Sequence, residues 1–173
     1  MIVKLLAAVV VVLGGWYLGR YLSAEFGIHV RQLSGFQAAL KQLEFNIRFM
    51  NLPLCDALRS TAETQRGVIG SILKEVADGL TQNRGSTVTD AWDRAVQAQK
   101  GRLCLADEEL GILSSFAEHL GAGDCESEVN NIRAACLKLK VAEEAAREEM
   151  NKNDKLYRSM GVLLGILVVI VMF

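Results

Sequence analysis

Six side chains could carry nucleophilic or metal chemistry: His29, His119, Cys55, Cys104, Cys125 and Cys136. A zinc site needs thiolates or imidazoles at short, paired spacings such as C-x-x-C. None of the six stands in such a pair, and no local motif ties either histidine to a nucleophile. The alternatives of a zinc site and a disulfide scaffold thus gain nothing from the spacing. The cysteines read as small apolar residues of a reducing compartment. Two carboxylate pairs remain, Glu108 with Glu109 and Asp124 with Glu126. Both sit where helix starts favour negative charge, and His119 sits where a helix end favours a cation. The chain has no nucleophile elbow, phosphate loop, H-E-x-x-H helix or dinucleotide fingerprint. The expectation is no catalytic residue, no cofactor and no metal, and a function of contact. A net charge of -1 gives no field that would gather nucleic acid.

The elements that hold these residues are helical by period. Leu33, Phe36, Leu40, Leu43, Ile47 and Met50 fall three and four apart, which sets them on one helix face. Pro53, the only proline, suits the first turn of a new helix, so Asn51 or Leu52 marks the break. Leu54, Ala57 and Leu58 resume the apolar face. The pattern predicts an antiparallel helical hairpin over Leu33 to Leu58. A third helix is predicted over 68–82. A short helix capped by Thr87 or Thr89 carries Ala91, Trp92, Ala95 and Val96. A fifth opens at Leu105-Ala106-Asp107, presents Leu110, Leu113, Phe116, Ala117 and Leu120, and stops at Gly121 and Gly123. Asp124 caps the last, with Val129, Ile132, Cys136 and Leu139 on its stripe. The expected core includes the hairpin residues Leu33, Phe36, Leu40, Leu43, Ile47, Met50, Leu54 and Leu58 with Trp92, Leu113 and Ile132. Glu44 and Arg48 are placed to pair at i, i+4 on the solvent face. The stripe is too short for a coiled-coil seam, so it is expected to be internal.

Hydrophobic residues make up 51% of the chain but concentrate at its ends. Residues 2–22 include a charge-free run from Leu5 to Leu18. At ~1.5 Å per residue they cover roughly 30 Å, a bilayer core. A cleaved signal peptide is the rival, but Trp16, Tyr17, Arg20 and Tyr21 follow where a small-x-small cleavage site would be needed. Residues 156–173 end in an uncharged run from Met160 that leaves no polar face for water. A buried C-terminal helix of a soluble core is the alternative there. Two spans put both termini on one side. Arg20, Arg31, Lys152, Lys155 and Arg158 then place residues 23–155 in the cytoplasm. Gly15 with Gly19 and Gly161 with Gly165 stand at the spacing that lets helices approach closely in lipid, although glycine is also simply common there. The fold expectation is all-α: a six-helix-type cytoplasmic bundle, 23–155, bracketed by two transmembrane helices.

Several stretches in order resemble the stage III sporulation protein AB family. They are "RQLSGFQAALKQLEFNIRFMNLPLCDALRSTAE" (Arg31 to Glu63), "TVTDAWDRAV" (Thr87 to Val96), "LADEELGILSSFAEHLGAGDCESEVNNI" (Leu105 to Ile132) and "KLYRSMGVLLGILVVIVMF" (Lys155 to Phe173). The most specific pieces are Pro53-Leu54-x-x-Ala57-Leu58, Ala91-Trp92 and Leu120-Gly121-x-x-Asp124. The resemblance implies an endospore-forming bacterium and a place in the membrane around the forespore, on the mother-cell side. It implies membership of the channel complex that links the two cells, and a cytoplasmic domain similar to the platform proteins of type II secretion and type IV pilus systems. By the same resemblance the partners are the lipid bilayer and other subunits, among them the cytoplasmic ATPase, stage III sporulation protein AA. A homo-oligomer is open, and nucleic acid is not expected. The family often has a glutamine after the aspartate of the last motif, and Glu128 stands nearest that place here.

The expected function is a non-enzymatic platform that couples the ATPase to membrane components. A membrane-anchored signalling adaptor holding a cytoplasmic factor is the alternative. A small membrane enzyme would need an activity that depends on Asp124 or His119.

Overall fold

A computed structural model describes residues 27–82, 87–121 and 123–172, with side chains as far as 152. Every regular element among the described residues is helical: α1 (27–48), α2 (Leu54–Thr64), α3 (Val68–Gln82), α4 (Val88–Gln99), α5 (Asp107–His119) and α6 (Cys125–Met172). A single 3-10 turn, Lys100–Arg102, follows α4. Contacts group Arg31–Glu143 as one compact unit and count the flanking stretches apart from it. Among the described residues no helix is long and apolar enough to cross a membrane. The two expected spans, 2–22 and 156–173, lie outside the residues whose side chains are described.

Helix starts follow local chemistry. At α4, the amide of Asp90 donates to Thr87 Oγ1 at 3.1 Å and the amide of Thr87 donates to Asp90 Oδ2 at 3.3 Å. That is a reciprocal capping box. Asp124 caps α6 by accepting from the Ser127 amide at 3.0 Å. Ala106 precedes α5 with no side chain to offer, and Glu109 reaches back to its amide at 2.8 Å. These bonds satisfy amides that a helix start leaves without an internal partner.

The α1–α2 reversal places Asn51 at φ 49°, a left-handed conformation that Asn tolerates better than most residues. The Leu52 amide then donates to Asn46 O at 3.2 Å. This turn corrects one expected core position. α1 ends before Met50, the reversal carries its side chain outward, and Met50 is 57% exposed. Leu54, in the first turn of α2, is only half-buried. Leu33, Phe36, Leu40, Leu43, Ile47, Leu58, Trp92, Leu113 and Ile132 are all buried. Each such side chain contributes ~1.5–3 kcal/mol on leaving water. Trp92 stands edge-on to Phe116, with ring centroids 6.2 Å apart.

Two close approaches depend on glycine. A β-carbon at Gly70 would run into the carbonyls of Ala62 and Gln65, so α3 can follow α2 this tightly only without one. Gly121, at φ 83°, opens the α5–α6 turn in the left-handed region, and a β-carbon there would lie 3.0 Å from Leu54 Cδ2 and 3.3 Å from Val88 Cγ2.

Candidate docking surface

α1 is held by polar side chains set among its apolar ones. Asn46 is buried and donates through Nδ2 to Ala57 O at 3.3 Å and to Thr61 Oγ1 at 3.1 Å. The Thr61 hydroxyl in turn donates to Ala57 O at 2.7 Å. Gln32 grips the segment after the 3-10 turn with both amide atoms. Its Nε2 donates to Arg102 O at 2.9 Å, and its Oε1 accepts from the Cys104 amide at 2.7 Å. Gln37 Nε2 donates to Glu143 Oε2 at 2.7 Å on α6. Glu44 accepts from Arg133 Nε at 2.9 Å, so the carboxylate expected to pair with Arg48 pairs across to α6 instead. An i, i+4 helix pair is worth only ~0.3–0.5 kcal/mol, which a two-point guanidinium contact outcompetes.

With α1 fixed, its outer side presents Phe45 and Phe49, 47% and 67% exposed, next to Met50. The two rings lie 5.5 Å apart between centroids, and the Arg48 guanidinium sits 5.4 Å from the Phe49 centroid. Beside them a surface depression of about 310 Å³ is lined by Arg48, Cys125, Glu126, Val129, Asn130 and Arg133. Single exposed apolar residues are ordinary, but here three large ones fall within six positions at the end of α1 and the turn after it. Two more exposed apolar side chains, Leu137 and Val141, lie on α6.

The residues with chemical potential are scattered. His119 is exposed in the last turn of α5, with Nδ1 2.8 Å from Ser115 O. Cys104 and Cys125 are exposed, and Cys55 and Cys136 are half-buried. Burial pushes the Cys136 thiol up from its ordinary range, and Glu44 adds to this while Lys41 opposes it. Among the described residues no three His, Cys, Asp or Glu side chains converge as a metal site. Gly15, Gly19, Gly161 and Gly165 lie outside the residues whose side chains are described. The periodicity of the apolar residues passes over Gln32, Gln37, Asn46 and Thr61. Gln32 and Asn46 are fourteen residues apart, close to four helical turns, and this shared face beside the stripe is the signal that could have marked them.

Glu128 is the other residue of note. It is buried, its Oε1 accepts from the Gly121 amide at 2.6 Å, and its Oε2 has no protein partner. It thus ties the start of α6 to the turn that Leu54 and Val88 press against. Two of the motif pieces quoted above, Pro53-Leu54 and Leu120-Gly121, meet at this point. A model of the family described as stage III sporulation protein AB matches residues 4–173, nearly the whole chain.

The chain belongs to the stage III sporulation protein AB family. It is 28% identical over 169 residues to stage III sporulation protein AB of Bacillus subtilis (strain 168), covering 98% of each chain. It also resembles a solved structure of a stage III sporulation protein AB, with a TM-score of 0.65 and 25% identity. That likeness covers 72% of this chain and 97% of the solved one. Membership of the family makes this a sporulation protein.

Proposed function

We propose that this chain is a non-enzymatic, membrane-anchored platform of the channel complex between mother cell and forespore. In this reading residues 2–22 and 156–173 span the bilayer, helped by Gly15, Gly19, Gly161 and Gly165. The helical domain faces the mother-cell cytoplasm and couples the ATPase, stage III sporulation protein AA, to membrane subunits. Family membership supports the sporulation setting. The charge-free runs at both ends support the anchoring.

The observation that carries the reading is the Phe45, Phe49 and Met50 cluster held on a fixed helical turn. A rigid apolar patch docks a partner without the entropy cost of ordering a loop. Arg48 beside the rings adds a charge able to meet an acidic group on that partner.

The test is Phe49→Ser combined with Met50→Ser in the full-length protein, expressed during sporulation. Both side chains are mostly exposed, so thermal stability should move by no more than ~0.5 kcal/mol. Recovery of the ATPase with the membrane complex, and spore yield, should both fall sharply. Normal recovery and normal spore yield from a stably folded double variant would overturn the assignment of this surface.

A further inference from the structure

We infer that the outer stripe of α1 takes an acidic amphipathic helix of the partner along its length, a step that rests on the reading of Phe45, Phe49 and Met50 as a docking surface. Opposite the buried stripe, Arg31, Ser34, Ala38, Lys41, Phe45 and Arg48 recur at three and four residues, and all are exposed. Phe49 completes the row. Every residue of it lies within the compact unit Arg31–Glu143. The charges on this face, Arg31, Lys41 and Arg48, are of one sign, and none of them ion-pairs with a carboxylate among the described residues. Arg59 and Arg133, by contrast, each reach an acid on another helix, Asp78 and Glu44. The Arg48 guanidinium lies over the Phe49 ring, 5.4 Å from its centroid.

These charges choose the occupant. At ~1.5 Å per residue, Lys41 and Arg48 stand about 10 Å apart along the axis, and Arg31 lies roughly 15 Å beyond Lys41. From Lys41 to Arg48 a cation, an aromatic ring and a cation follow at intervals of one helical turn. A partner helix whose carboxylates and apolar side chains repeat at i, i+3, i+4 and i+7 matches that spacing when laid beside α1. Its carboxylates meet cations that have no acid of their own, and its apolar side chains cover Phe45 and Phe49. The acids beside the stripe do not fill that role. Glu44 is held by Arg133, and Glu126 shares the depression with Arg48 without forming an ion pair. A second copy of the same stripe fits badly, because cations would face cations across the two-fold axis. An anionic bilayer surface is recognised by clusters of about four to eight Lys and Arg, more than α1 spreads along its face. Opposite charge at an exposed contact steers the encounter and fixes register, and salt screens it.

The experiment uses the full-length chain in membranes, expressed during sporulation. Lys41→Glu combined with Arg48→Glu should leave the melting temperature unchanged and lower recovery of the ATPase severalfold, while Lys41→Arg with Arg48→Lys should keep it. Lys41→Gln with Arg48→Gln should give an intermediate loss, and it is the deciding variant if the charge reversal disturbs the fold. Recovery with the unaltered chain should fall as sodium chloride is raised. A photoreactive phenylalanine analogue in place of Ala38 should label a partner peptide with acidic residues three and four apart. Changing those residues to lysine should restore recovery with the Lys41→Glu, Arg48→Glu chain. Label found only on a second copy of this chain, or only on lipid, would overturn the proposal. Recovery unmoved by the charge reversal but lost in the Phe49→Ser, Met50→Ser chain would overturn it and leave the docking surface standing. Recovery unmoved by both would remove the surface as well.

Discussion

Asp90 and Asp124 show how much a single exposed carboxylate can do at a helix start. Hydrogen bonds from Thr87 hold the Asp90 carboxyl below its ordinary value of 3.8, and hydrogen bonds from Ser127 do the same for Asp124. A carboxylate whose value is lowered in the folded state contributes stability that is present above its unfolded value and lost as pH falls through the folded one. The melting temperature should therefore hold from neutral pH down to about pH 4 and then fall as these two caps protonate. Asp90→Asn combined with Asp124→Asn should flatten that acid limb, because asparagine caps without titrating. Melting curves across the acid range check this, and an unchanged acid limb in the double variant would remove both caps from the account.

Among the elements, the α5–α6 turn rests on Glu128. Glu128→Leu removes the acceptor of the Gly121 amide, which is part-buried, and should cost about 0.5–1.5 kcal/mol, the net worth of one hydrogen bond. Glu128→Gln keeps an acceptor for that amide, so it should cost less than Glu128→Leu. Urea denaturation of the two variants separates these outcomes. Most of the helices were legible in the sequence because their apolar residues recur at 3.6 and their starts carry Thr87 and Asp124. Met50 was misplaced for a physical reason. Period alone extends a helix until something stops it, and the left-handed Asn51 acts only after the stripe has been counted. The exposed Phe45 and Phe49 were missed because they lie off the stripe, where a pattern built on burial does not look. Gln32 acts through partners some seventy residues on, and Glu128 reaches back seven residues to the turn before α6, a contact that apolar periodicity does not register.

At the level of the whole domain, the α1 stripe is internal. Leu43 is 1% exposed, so Leu43→Asp buries a charge with no partner and should unfold the domain. Circular dichroism should show lost cooperativity, and ATPase recovery should fail together with the fold. A folded Leu43→Asp domain would move the stripe from core to surface. By contrast, the serine double variant at Phe49 and Met50 should leave the fold intact and remove only the contact. The pair of experiments separates what holds the domain together from what it presents.

The seam between α1 and α6 has a consequence for synthesis. α2, α3 and α4 pack on near neighbours in the chain, and such contacts form early. Arg133 and Glu44 are 89 residues apart, and Gln37 and Glu143 are 106 apart. A nascent chain thus finishes the middle of the domain first and carries the outer faces of those helices unclosed. α1 meets α2 early through Asn46, but its α6-facing side must wait for a partner that emerges last. In the finished protein the same seam should be the first part to open, as the hydrogen exchange of its amides would report.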